Sequence, residues 1–252
     1  MAFNNTLRSM PPVTKNIIII CFLIWAVEML FPRFGNVIIE KLGLHLIGAS
    51  DFNPIQPVTY MFVHSNDTIL HVLFNMFTLW MFGRTLEQVW GSRRFFVFYM
   101  VCGIGAALVQ EGVWALTWQH DYVTELARQA GLNAGYVADM VREQVAAGDP
   151  TRLQNMEMFK SMLTTVGASG AIFGLLLGFA FVFPNMPLYL FFIPVPIKAK
   201  WMVLGYAVIE FFLGINGGGT IAHFAHLGGM IFGLVLLLYW RKNGTLRGNG
   251  FY

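Results

Sequence analysis

Of 252 residues, 56% are hydrophobic and only 12% are charged, against roughly 25% charged in a soluble domain. That composition excludes a water-soluble globular protein and describes a polytopic membrane protein. The formal net charge is +3 with the basic residues dispersed, which excludes a nucleic-acid-binding surface, since that needs a clustered basic patch.

Residues 1–15 contain Arg8 and Lys15 but no small-residue cleavage pattern, so the apolar run that follows reads as a retained first span. A crossing helix takes about 20 mainly apolar residues, and six segments fit: 16–32, 70–88, 95–116, 162–182, 201–215 and 222–240. The expected fold is all-α, one membrane domain over residues 1–252 built as a six-transmembrane-helix bundle. Arg8, Lys15, Arg84, Arg93, Arg94, Lys198, Lys200, Arg241, Lys242 and Arg247 fall on one side of that arrangement, which predicts both termini in the cytoplasm. Cys21 and Cys102 stand far apart in apolar runs and read as small buried residues.

The first outer loop, Arg33 to about Asn66, holds apolar stretches such as Val37–Ile39 and Leu42–Ile47, and suits a segment lying in the membrane interface. The loop at about 119–160 is long and net acidic. Its Val137, Met140, Val141 and Val145 recur at helical spacing and predict short amphipathic helices. Between spans four and five, Pro184, Pro187, Pro194 and Pro196 forbid one continuous helix, and this aromatic stretch is placed at the cytoplasmic interface.

Strongly polar residues inside spans are costly and point to function. Span two holds His71 and Asn75, four apart on one face; span four holds Ser169; span six holds His223 and His226. All five fall in the first third of spans that enter from outside, with Ser169 roughly 10 Å along its helix from the start of span four. Gly170, Gly174 and Gly178 in span four, and Gly229 and Gly233 in span six, form small-residue grooves that let two helices approach closely. A serine hydroxyl becomes a good nucleophile when a base lies within hydrogen-bond reach, and histidine is such a base near neutral pH. Attack on an amide also creates an oxyanion that needs donors. The Asn75 amide, the His71 imidazole and the Ser169 backbone N–H are candidates.

Together, Gly-x-Ser-Gly at 167–170, Ala-His-x-x-Gly-x-x-x-Gly at 225–233, His-x-x-x-Asn at 71–75 and Glu87-x-x-x-Gly91-Ser92 resemble the rhomboid family of intramembrane serine proteases. The resemblance implies a dyad of Ser169 as nucleophile and His226 as general base, an oxyanion hole from His71, Asn75 and the Ser169 amide, and packing around the dyad by Phe173, Gly167 and Gly229. Phe173 stands where members often carry tyrosine and is expected against the histidine ring. Of the two span-six histidines, only His226 has glycines at offsets of three and seven, which leaves His223 as the extra one. The family's Trp-Arg pair in the first outer loop is absent, with Ile55-Gln56 near its place, and His64 resembles a structural histidine of that loop.

The implied activity is an intramembrane serine endopeptidase that hydrolyses peptide bonds in or next to transmembrane segments of single-span or polytopic membrane proteins. It would work in the lipid bilayer of a bacterial plasma membrane, without nucleic acid, organic cofactor or metal; the oligomeric state is open. Read singly, the same residues allow plainer roles. The glycines pack helices, Ser169 bonds its own helix backbone, and Glu210, with no partner evident, reaches toward the interface and water. His64, His71, His223 and His226 could instead ligate a metal, although no carboxylate stands close by in sequence. The alternative of another class is a catalytically inactive rhomboid-like protein that binds membrane clients.

Overall fold

The computed structural model describes residues 10–65, 68–190, 193–216 and 222–246. Arg8, Arg247 and Asn66, which entered the charge and loop readings, lie outside the described residues. Pro12, whose missing N–H costs nothing in a first helical turn, opens α1 (Pro12–Leu30); Pro32 then holds Phe31 out of the helical region and ends it. No side chain of its own neighbourhood caps α1. Buried Glu87 does so from a distance, accepting hydrogen bonds from Val13 N at 2.9 Å, Thr14 N at 2.7 Å and Thr14 Oγ1 at 2.7 Å. Ser92 Oγ donates to the same carboxylate at 2.7 Å, which ties α1 to the corner at Gly91, where φ is +78°. We expect Glu87→Ala to strip several charge-assisted bonds and leave buried donors unmet, costing about 3–5 kcal/mol. The check is the thermal unfolding midpoint in detergent.

α2 (Pro32–Leu42) is amphipathic, burying Gly35 and exposing Phe34 and Val37, as an interfacial segment should. Beyond it, β1 (Leu44–His45) pairs antiparallel with β2 (Thr164–Thr165). The first loop is anchored by Gln56, which is fully buried: its Oε1 accepts from His45 N at 3.2 Å and its Nε2 donates to Asp51 O at 2.8 Å and Lys41 O at 3.3 Å. A neutral amide at this position thus clamps both ends of the loop.

α3 (Ile69–Trp90) contains a π-helical turn at Leu79–Gly83. α4 (Ser92–Ala130) runs for 39 residues, a length of roughly 58 Å at the helical rise, well beyond the ~30 Å of a bilayer core. The helix therefore continues well past residue 116, where the apolar run of span three ends, into the stretch expected as loop. Polar residues stop the apolar run there, but the helix needs only its own backbone bonds to go on. Its projecting end carries Tyr122 and Ala127, which pack with Val137 and Val141 of α5 (Ala134–Ala146) and with Met156 and Phe159 of α6 (Pro150–Met162) in a satellite core. The first part of the long loop expected at about 119–160 is thus a continued helix, and the amphipathic spacing of α5 is realised as burial. Glu157 of α6 accepts from Ser50 N at 2.7 Å, fastening this satellite to the first loop.

The remaining elements are α7 (Ser169–Val182), an antiparallel hairpin of β3 (Pro187–Leu190) and β4 (Ile193–Lys198), α8 (Ala199–Ile215) and α9 (His223–Lys242). The proline-rich stretch is a hairpin and not a helix. Helices α1, α3, α4 and α9 are long and apolar enough to cross a membrane, whereas α7 and α8 have 14 and 17 residues. The architecture is a polytopic helical membrane bundle with unequal members.

Its centre is the junction of α4, α7 and α9. A Cβ on Gly174 would meet the side chain of Cys102, one on Gly233 would lie 3.0 Å from Cys102 Sγ, and one on Gly229 would overlap the carbonyl oxygen of Gly170. The two glycine grooves face each other, and α4 fills the remaining side with Cys102 and Ala106. Both cysteines are free and buried.

Candidate active site

Span four was expected to begin near residue 162, with Ser169 well inside the helix. α7 begins at Ser169 itself. The residues before it cannot be helical, because Thr164–Thr165 pair with β1 and Gly167 adopts a φ of +124°, open to glycine and strained for other residues. Gly167 N also donates to Tyr60 O at 2.9 Å, which fixes the approach to the helix. Ser169 therefore opens its helix instead of lying roughly 10 Å along it, and this has a chemical advantage. The N–H of Ser169 lies ahead of the intrahelical ladder, where first-turn donors have no partner within the helix. The positive end of the helix dipole is at the same place.

His226 occupies the first turn of α9. Its Nε2 lies 2.8 Å from Ser169 Oγ. Phe173, one turn below the serine, stacks flat on the imidazole, with ring centroids 4.2 Å apart and planes 5° from parallel. Tyr206 of α8 meets the other ring of that pair, Phe173, edge-on at 6.3 Å. The histidine plane is thus fixed by packing as well as by its hydrogen bond.

His71 and Asn75 share one face of α3. Ser65 N donates to His71 Nδ1 at 3.4 Å, so the proton of the neutral ring belongs on Nε2. That Nε2 edge fills the space a side chain on Gly167 would need: a Cβ there would sit 3.0 Å from it. Gly167, expected in the packing around the dyad, makes room for His71. The buried Asn75 amide donates one N–H to His71 O at 3.0 Å, leaving its second amide hydrogen for another acceptor. Gly229 serves the close approach of α9 to α7, as already described.

Glu210 was read from sequence as reaching toward the interface and water. The structure corrects this. Glu210 Oε2 lies 2.6 Å from His223 Nδ1 and 3.0 Å from His226 Nδ1, with 13% of its side chain exposed. The first contact is a hydrogen bond; the second is at ion-pair range without hydrogen-bond alignment. A carboxylate therefore stands behind the imidazole that faces Ser169. The available signal was the residue itself, an acidic group within an apolar span. The metal grouping read from sequence is also redrawn, since the close trio is Glu210, His223 and His226. His64 lies apart from it, its ring edge-on to His71 at 5.3 Å.

A hydroxyl held on an imidazole, at the mouth of a helix and within a bundle of apolar helices, defines the class: a polytopic helical membrane protein with a serine–histidine site. The chain matches the family model described as Rhomboid domain over residues 52–124 and 126–243, and it belongs to the rhomboid family. It is 28% identical over 179 residues to Rhomboid protein 1, mitochondrial, of Saccharomyces cerevisiae. The match covers 71% of this chain and 40% of that protein, so the chain spans about two-fifths of that relative's length.

Proposed function

We propose that the protein is an intramembrane serine endopeptidase that cleaves peptide bonds in or next to transmembrane segments of single-span or polytopic membrane proteins. The observation that carries this reading is the 2.8 Å contact between His226 Nε2 and Ser169 Oγ. In the first step Ser169 Oγ bonds to the substrate carbonyl carbon while His226 Nε2 takes the hydroxyl proton. The oxyanion so formed is met by the Ser169 N–H, the His71 Nε2–H and the second Asn75 amide hydrogen, each donor being worth about 3–4 kcal/mol in such sites. The tetrahedral species collapses as His226 returns the proton to the leaving amine, and water then hydrolyses the acyl-serine by the same route in reverse. Membership of the family fits this reading; the location proposed is a bacterial plasma membrane, where the charge asymmetry favours both termini in the cytoplasm. A phosphatase fused to the C-terminus, inactive in the cytoplasm, checks the latter.

Glu210 acts on this reading as a positioning residue. Its carboxylate beside Nδ1 favours the tautomer with a bare Nε2 and balances the imidazolium that forms. In soluble triads an amide in place of the carboxylate costs about 10⁴-fold; the unaligned contact here predicts less. Glu210→Gln should lower kcat by about tenfold to a hundredfold and leave KM nearly unchanged, because the group meets no substrate atom. Steady-state kinetics separates the two constants.

The reading is tested by reconstituting the protein with a single-span substrate in proteoliposomes. Cleavage by wild type and none by Ser169→Ala is expected. Tight substrate binding without cleavage by wild type would favour the client-binding member of the family instead.

A further inference from the structure

His223 has no part in the acyl-transfer steps, yet it is buried beside them, in the first turn of α9 and one turn before His226. Glu210 Oε2 sits between the two imidazoles, and the ligating atoms of Glu210, His223 and His226 all lie within 4.8 Å of one another. Two imidazole nitrogens and a carboxylate are a common three-ligand set for zinc, with water in the fourth position. On a tetrahedral ion with bonds of about 2.0–2.1 Å, neighbouring ligand atoms stand roughly 3.3 Å apart. The observed 2.6 Å and 3.0 Å pairs would open by about 0.7 Å and about 0.3 Å, and the two imidazole nitrogens, within 4.8 Å of each other, would settle at the same spacing. A second observation points the same way. His226 Nδ1 is buried and has no aligned hydrogen-bond partner among the described residues, although it is aimed at Glu210.

We propose that Glu210, His223 and His226 form a regulatory binding site for a borderline divalent cation of the zinc class, and that occupancy switches the serine site off. The switch follows from the two nitrogens of one ring. A base at Nε2 requires the ring proton on Nδ1. A metal that takes the Nδ1 lone pair displaces that proton, and the neutral metal-bound ring carries its hydrogen on Nε2. Nε2 then donates to Ser169 Oγ and cannot accept its proton, so no nucleophile forms. Removing the ion lets the proton return to Nδ1. The inhibitory consequence rests on the protease reading above; the binding of the ion does not.

The test therefore separates binding from activity. Purified full-length Ser169→Ala protein in detergent, which keeps the trio, is titrated with Co²⁺ and then Zn²⁺. One equivalent per chain with visible bands of a tetrahedral N/O site, bleached by Zn²⁺, is expected; no such band overturns the proposal. In the His223→Ala and His223→Gln backgrounds affinity should fall by more than the roughly 10–100-fold that loss of an outer-shell partner costs. Undiminished binding in both would place the ion elsewhere and equally overturn it. With active protein, Zn²⁺ should suppress fluorophosphonate labelling of Ser169, EDTA should restore it, and the His223 variants should be labelled with or without Zn²⁺. Equal inhibition of wild type and both variants contradicts the switch. Metal binding by Ser169→Ala with no labelling of wild type under any condition would refute the protease reading and leave the metal site standing.

Discussion

His226→Ala is expected to lower kcat by at least about 10³-fold, the scale on which a positioned general base acts, whereas His223→Ala keeps activity close to wild type. The difference follows from reach. His226 Nε2 is 2.8 Å from Ser169 Oγ, while His223 turns its Nδ1 to Glu210 at 2.6 Å. Both histidines sit in the first turn of α9, so both substitutions remove an imidazole from similar surroundings. Initial-rate cleavage assays with the two variants side by side distinguish the base from its neighbour. Loss with His223→Ala and retention with His226→Ala would show that the base was assigned one turn too late.

Gly229→Ala should be nearly as damaging, although it touches no reacting atom. Alanine is favoured over glycine in a helix interior by about 1 kcal/mol, but its Cβ would overlap the carbonyl oxygen of Gly170. Backbone cannot rotate away as a side chain can, and overpacking of this kind costs typically 1–3 kcal/mol or more. Relief comes by moving α9 off α7, which stretches the Ser169–His226 contact. A misplacement of about 1 Å costs on the order of 10²-fold, so a drop of that size in kcat is expected together with a lower unfolding midpoint. Wild-type kinetics in Gly229→Ala would show that the grooves do not set the distance between nucleophile and base.

The four groups of the site were legible because each is a costly residue in an apolar run, and because Gly170, Gly174, Gly229 and Gly233 mark helices built for close contact. The Phe173 stack was legible only through the rhomboid resemblance, in which this position often carries tyrosine. Three other features were not. The start of α7 at Ser169 depends on the pairing of Thr164–Thr165 with Leu44–His45, a contact more than a hundred residues apart in sequence. A hydropathy reading counts residues 162–168 as span and misses that Met162 ends α6 and that Thr164–Thr165 are extended. The length of α4 was hidden because apolarity reports burial in lipid, and its last turns are covered by α5 and α6 instead. Glu210 was sent to the interface because nothing near it in sequence could pair with it. Its partners come from α9, and only the packing of α8 on α9 brings them together.

The nucleophilic state of Ser169 is the point on which the rest depends, and labelling with a serine-reactive fluorophosphonate measures it most directly. Purified protein in detergent, free of divalent cations, should be labelled in wild type, and mass spectrometry should find the adduct on Ser169 alone. Ser169→Ala and His226→Ala should both be unlabelled. Equal labelling of all three proteins, or none of a wild type that is folded, would contradict the account.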